Sequence, residues 1–249
     1  METLNHFKII IPFFNVEKWI KPCIRSVKKQ KYKNFECVLI DDMSTDNSYE
    51  IAKNEINNDS RFKLVLNTEK KLALQNIYEG IKLSNPESED VILTLDGDDW
   101  LASIDVLEKV NKAYIDNNCW MTYGSYVEFP SGRRGKFAKK IPQSVLENNL
   151  FRSFEWCSSH LRTFKYHLWS QIKKDDLLDD DGKFYKMGWD LAFMFPMLEM
   201  AAAKSQYIKD ILYVYNLDNP FNDHKVDNRR QMMIEHKIRT KKKYIPLKC

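Results

Sequence analysis

Three carboxylates stand within four positions at Asp96-Gly97-Asp98-Asp99, directly after the apolar run Val91-Ile92-Leu93-Thr94-Leu95. A short run of β-branched and leucine residues reads as a buried strand, so the acids gather at a strand end. Carboxylates crowded there repel one another, by about 4 kcal/mol for a pair roughly 4 Å apart at an intermediate effective dielectric. A divalent cation offsets that repulsion. All-oxygen donors suit Mg²⁺ or Mn²⁺, which keep positions open for water and phosphate oxygens. The tetrad points to a site for a metal and a nucleotide, with an acidic turn capping a following helix as the plainer alternative.

Such a site needs a frame, and the first half of the chain alternates strand and helix signals. Lys8–Phe14, Phe35–Ile40, Phe62–Leu66 and Val91–Leu95 read as strands. Val16–Gln30, Asp46–Asn57, Lys70–Leu83 and Ser103–Asn117 read as helices, the last with Ser103 as N-cap. Repeated strand–helix units with continuous apolar strands predict a doubly wound parallel sheet covered on both faces. After Cys119 the pattern changes. Trp120–Phe129 reads as an aromatic strand, Ser144–Ile172 as a helical region, Asp190–Ala203 as a strong helix and Ile208–Tyr215 as a last strand. A charged helix from Asp227 follows. No repeat or linker divides the 249 residues, so a single domain is expected, with a nucleotide half over 1–118 and an acceptor half over 119–249.

Composition narrows the class. The hydrophobic fraction of 43% is that of a chain with a core rather than a disordered one. A net charge of +4 with interspersed signs argues against a dedicated nucleic-acid binder. Lys237, Arg239, Lys241, Lys242, Lys243 and Lys248 concentrate charge near the C-terminus, where a solvated helix end is expected and weak contact with anionic lipid is the alternative. The five cysteines are scattered and never spaced as C-x-x-C, which fits a reducing compartment. With no signal-peptide pattern and no apolar run of membrane-spanning length, the expectation is a cytoplasmic protein, at most peripheral to a membrane.

In a doubly wound sheet, ligands bind outside the carboxyl ends of the strands. Three strands carry unusual residues there: Ile11-Pro12-Phe13-Phe14-Asn15, Ile40-Asp41-Asp42-Met43-Ser44-Thr45-Asp46, and the tetrad. No glycine-rich phosphate loop occurs, so phosphates must be held by a metal and side chains. The order IPFFN, VLIDDMSTDNS, LTLDGDD resembles the family 2 glycosyltransferases of the GT-A fold. Lys186-Met187-Gly188-Trp189-Asp190-Leu191 stands where that family carries its x-E-D motif, and Ser159-His160-Leu161-Arg162-Thr163-Phe164 is similar to a stretch that precedes it in some members. Tyr213-Val214-Tyr215-Asn216, with Asn219-Pro220 and Asn222-Asp223-His224, resembles the family's closing segment.

The resemblance implies a transfer of a hexose or N-acetylhexosamine from a UDP-sugar to an acceptor hydroxyl of a glycan, lipid-linked or protein partner. It implies Mn²⁺ or Mg²⁺ as cofactor and inversion at the anomeric carbon, with dTDP- and GDP-sugars as rival donors. Pro12 and Asn15 would wall the base, Asp42 would accept a hydrogen bond from the uracil ring, and Lys70 or Lys71 would reach base or phosphate. Asp96 would lie by the ribose or in an outer metal shell with Gly97 beside it in the nucleotide-sugar site, Asp98 would bind the ion with His224 completing its shell, and Asp99 would orient ligands or the acceptor. Asp190 would be the general base, with His160, Arg162 and Trp189 toward the acceptor. Two departures stand out. Trp189 replaces the first acid of x-E-D, and Ala73-Leu74-Gln75-Asn76 lacks the arginine of an Ala-Arg-Asn run. Rival functions are a sugar-nucleotide or glycan binder without catalysis and a metal-dependent nucleotidyltransferase.

Overall fold

The computed structural model describes residues 4–219 and 228–248. At its centre, β1 (Phe7–Phe13) is buried along its whole length, as an apolar run covered on both faces must be. It pairs in parallel with β2 (Phe35–Asp41) on one side and β4 (Val91–Thr94) on the other, and β3 (Phe62–Leu66) extends the parallel set beyond β2. Successive strand residues point to opposite faces. Ile9 and Ile11 therefore pack with α1 (Ile20–Lys28) and α4 (Val106–Asn117), while Ile10 packs with α3 (Leu72–Leu83) and α7 (Trp189–Ala201). Between β2 and β3 runs α2 (Ser48–Ile56).

The second half turns the sheet into a mixed one. β6 (Met121–Phe129) lies parallel to β9 (Ser205–Asn216), and β8 (Arg162–Lys165) runs antiparallel between β4 and β6. A two-residue β5 (Trp100–Leu101) edges β9, and β7 (Arg133–Arg134) folds back on β6. The expected mostly parallel sheet is thus present, with parallel pairing along β1 to β4 and between β6 and β9, and antiparallel pairing brought in by β8, β5 and β7.

The helix expected over Ser144–Ile172 is replaced by α5 (Gln143–Glu147), a 3₁₀ turn at Phe151–Ser153, β8 and α6 (Tyr166–Ser170). Short apolar runs fit either period, and here pairing decides: Thr163 is fully buried and its hydroxyl lies 2.6 Å from that of Thr122 on β6 and 2.9 Å from Tyr114. Ser103 is not the cap of α4. That position belongs to Asp105, whose carboxylate accepts the Ser103 hydroxyl. Asp46 accepts the Ser48 amide at 2.9 Å, just ahead of α2.

α7 is buried on all sides from Leu191 to Ala201, lying between the sheet and the C-terminal α8 (Asn228–Thr240). Cys23, Cys37, Cys119 and Cys157 are buried free thiols. Among the described residues, no helix is long and apolar enough to cross a membrane.

Candidate active site

Because β1, β2 and β4 are parallel neighbours, their carboxyl ends share one edge, and a cavity of about 1120 Å³ opens over it. Pro12, Asp42, Asp96, Gly97 and Asp98 are among the residues that line it. Gly97 is needed for the close approach of the tetrad to β1. Its amide donates to the Pro12 carbonyl at 3.2 Å, and a Cβ there would meet the Phe13 Cβ at 2.3 Å.

The three acids face different ways. Asp98 lines the cavity and accepts from Asn219 Nδ2 at 2.7 Å. Asp99 turns inward, 1% exposed, and accepts the Tyr213 hydroxyl at 2.5 Å and the Asn216 amide at 2.7 Å. Asp96 lies between, 3.5 Å from both the Arg162 guanidinium and the Tyr213 hydroxyl. Burial pushes the pKa of Asp99 well up, and the charges of Asp98 and Asp96 push it further. Burial also raises Asp96, with the Arg162 charge opposing. This is the mutual repulsion that a divalent cation relieves.

His160 is nearly buried. It stacks on Tyr213 at 4.4 Å and on Tyr215 at 5.1 Å, and it offers a nitrogen within 4.8 Å of oxygens from Asp96 and Asp99. The carboxylate oxygens fit Mn²⁺ or Mg²⁺, while an imidazole nitrogen beside them suits a transition metal such as Mn²⁺ better than Mg²⁺. His160, expected toward the acceptor, lines the cavity and packs against Tyr213 and Tyr215 beside the acids. His224 lies outside the described residues.

At the base end, Asp42 is 3% exposed and already accepts the Lys71 amide at 2.8 Å, the Leu72 amide at 2.9 Å and Asn67 Nδ2 at 2.9 Å. Burial alone would raise its pKa, but the Lys71 amide, Asn76, Asn67 and the Leu72 amide outweigh it and hold the carboxyl below its usual range. Lys71 sends its side chain to Glu79 at 2.7 Å, away from the cavity. Lys70 takes the expected place, lining the cavity 3.7 Å from Asp42 and over the Phe14 ring. Asn15 has a left-handed backbone, and its carboxamide accepts the Thr45 amide at 2.8 Å rather than lining the cavity.

On the opposite wall stand Asp190 and Trp189, at the start of α7, with Arg162 beside them. The Arg162 guanidinium is 3.5 Å from Asp190 and 5.1 Å from the Trp189 ring centre. Burial raises the pKa of Asp190, and the Arg162 charge opposes that rise. Asp190 sits in the first turn of α7, one residue inside it, and its Oδ1 accepts the adjacent Leu191 amide at 3.1 Å.

Further out, Trp156, Glu155 and the α8 residues Gln231 and Glu235 complete the wall. Sequence reasoning gave no role to Tyr213, Asn216 or Asn219, although the alternation Tyr213-Val214-Tyr215-Asn216 marked a strand with one aromatic face. Much of the basic tail is engaged within the protein. Lys237 pairs with Asp180, Lys241 Nζ donates to the Asp175 carbonyl at 2.9 Å, and Lys243 Nζ donates to the Asn149 carbonyl at 2.6 Å.

A mixed α/β sheet with this acidic edge is the GT-A fold. A mannosyltransferase of Pyrobaculum calidifontis, solved with GDP-Man and Mn²⁺, matches 98% of the chain at a TM-score of 0.64 and 18% identity, over 67% of its own chain. Residues 8–173 match the model of glycosyl transferase family 2, and the chain belongs to that family. WfgD of Escherichia coli, a UDP-Glc:α-D-GlcNAc-diphosphoundecaprenol β-1,3-glucosyltransferase, is 32% identical over 186 residues, 68% of this chain and 70% of its own. Glycosyltransferase GlyA of Streptococcus pneumoniae is 26% identical over 223 residues, 84% of this chain. The chain spans 30% of GlyA's length.

Proposed function

We propose that this protein is a metal-dependent, inverting glycosyltransferase. It moves a hexose or N-acetylhexosamine from a UDP-sugar to the hydroxyl of a glycan, lipid-linked or protein acceptor. The observation that carries this is one cavity lined by Asp96, Asp98 and Asp190 together. UDP is favoured over GDP by the UDP-Glc donor of WfgD, while the GDP-Man of the Pyrobaculum enzyme keeps the rival donor in the test. Residues 1–118 would hold the donor and 119–249 the acceptor, as one catalytic unit.

Asp98 and Asp96, with His160 and Asp99 behind them, would hold Mn²⁺ or Mg²⁺, which would supply positive charge against the growing charge of the departing diphosphate. Asp190 takes the proton of the acceptor hydroxyl as that oxygen bonds to the anomeric carbon. The bond from carbon to diphosphate breaks on the opposite side, and the nucleoside diphosphate leaves with the electron pair. Lys70 and Phe14 border the base end of the cavity. Trp189, in place of the family's first acid, leaves Asp190 as the carboxylate of its motif on that wall.

The test is nucleoside diphosphate release across UDP-, GDP- and dTDP-sugars with and without Mn²⁺, for wild type, Asp98→Ala and Asp190→Ala. Metal-dependent release from one donor, lost in both variants, supports the proposal. Nucleotide binding without turnover, even with candidate acceptors present, would instead favour a non-catalytic sugar-nucleotide binder.

A further inference from the structure

The first residue of β8 lands opposite Thr94 of β4 on one side and Tyr123 of β6 on the other. That residue is Arg162, 1% exposed, and it heads the fully buried side chains by volume among the described residues. Burying a guanidinium is costly unless it is paired, so its partners carry information. They come from both walls of the cavity. One terminal nitrogen is 3.5 Å from Asp96 Oδ2, and the other is 3.5 Å from Asp190 Oδ2. Its Nε is 3.4 Å from the Thr94 hydroxyl.

A closed guanidinium–carboxylate hydrogen bond spans about 2.7–2.9 Å. Neither contact is closed, and the group stands midway between a donor-side acid and the proposed base. The Trp189 ring lies 5.1 Å from the guanidinium and packs against Phe193 at 6.0 Å. The residue that departs from the family's acidic pattern is thus the one that braces Arg162 from the α7 side.

We propose that Arg162 is a positioning residue that ties Asp96 to Asp190, so that filling the donor side aligns the base. Positive charge arriving at Asp96 with the donor repels the guanidinium and favours its closure on Asp190. The base is then held toward the acceptor only when a donor is present. This rests on the transferase proposal above.

The experiment pairs transfer kinetics with calorimetric binding of UDP in the presence of Mn²⁺, for wild type, Arg162→Met, Arg162→Lys, Asp190→Asn and the Arg162→Met/Asp190→Asn double variant. The expected result splits the two readouts. Arg162→Met lowers kcat about 100-fold, while UDP–Mn²⁺ affinity stays within about 3-fold or tightens, because Asp96 loses a competing cation. Arg162→Lys recovers about 10-fold of the lost kcat. The double variant is no more than about 3-fold slower than the slower single one, since residues acting as a unit are non-additive.

Parallel losses of kcat and UDP affinity would reduce Arg162 to a structural residue and overturn the proposal. So would additive effects, or a folded Arg162→Met enzyme within about 3-fold of wild type. If Arg162→Met fails to fold, the Arg162→Lys kinetics decide alone: losses in kcat and affinity that run together overturn it. Absence of UDP–Mn²⁺ binding and of transfer by the wild type would instead refute the transferase reading itself, and this inference with it.

Discussion

The Tyr213 hydroxyl meets Asp99 Oδ2 at 2.5 Å, fixing the end of the tetrad to β9 more than a hundred residues along the chain. The backbone amide of Asn216 closes on the other carboxylate oxygen at 2.7 Å. Asp99 therefore serves the site from behind, while Asp98 faces the cavity. The same tyrosine ring carries His160, so one side chain orders both an acid and an imidazole of the candidate metal centre. Orientation of this kind tunes a metal site as much as the ligands themselves do.

Tyr213→Phe keeps the ring and its stack but removes the hydroxyl from a buried carboxylate. An unsatisfied buried acceptor costs about 1–3 kcal/mol. Urea unfolding of this variant is expected to show a stability loss of about that size, with a near-native near-ultraviolet spectrum. Mn²⁺ affinity is expected to fall with it, because Asp99 loses the hydroxyl that orients it.

Mn²⁺ is expected to stabilise the folded protein, since crowded acids attract the ion only when folding brings them together. At a free ion concentration of 100 times its dissociation constant the gain is about 2.7 kcal/mol. Differential scanning calorimetry should show a higher Tm with Mn²⁺, reversed by EDTA. Asp98→Asn should abolish most of the shift while leaving the metal-free Tm nearly unchanged, because Asp98 is only half-buried and faces the cavity.

Transfer must weaken at low pH, and at a higher pH than an ordinary aspartate would give. Burial raises the pKa of Asp190, with Arg162 offsetting part of the rise. A general base works only when ionised, so the rate falls about tenfold per unit once the pH drops below that raised pKa. Removing the opposing charge in Arg162→Met should move the acid limb to still higher pH. A pH–kcat profile of both enzymes, taken across the acid range in which they stay folded, checks the direction.

The parallel half of the fold could be read from the chain because each strand there is a continuous apolar run ended by turn residues. β3 at Phe62–Leu66 matches its expected bounds, and β1 and β2 differ by one residue at their ends. The same runs put Pro12, Asp42 and the tetrad on one edge. β8 could not be read this way. Its four residues Arg162–Lys165 have too little length to carry a period, and only β4 and β6 on either side make them a strand. The sequence marks Arg162 as a candidate acceptor contact but not its burial between Asp96 and Asp190, since a buried arginine is signalled by its partners and not by its neighbours in sequence. The choice between Lys70 and Lys71 is not legible for a related reason: adjacent lysines look alike until backbone geometry sends one to Glu79 and the other over the cavity.

The C-terminal helix hangs on a buried ion pair, and this sets a prediction about both stability and the acceptor wall. Arg152 grips Glu199 through two hydrogen bonds of 2.6 and 2.9 Å, with Glu199 fully buried on α7. The guanidinium also donates to the Ile238 carbonyl at 2.7 Å, and Glu199 accepts the Tyr244 amide at 2.9 Å. The pair thus joins α7 to α8 and to the tail. Removing one partner strands a buried charge, at a cost of about 3–5 kcal/mol, whereas an apolar pair of similar volume is often neutral. Arg152→Met and Glu199→Leu should each destabilise by that amount in urea, and the double variant should recover most of the loss. Gln231 and Glu235 of α8 line the outer cavity, so the single variants should also raise the acceptor KM more than the donor KM. A double variant that stays as unstable as the singles would mean that the contacts to Ile238 and Tyr244, and not the ion pair, hold the helix in place.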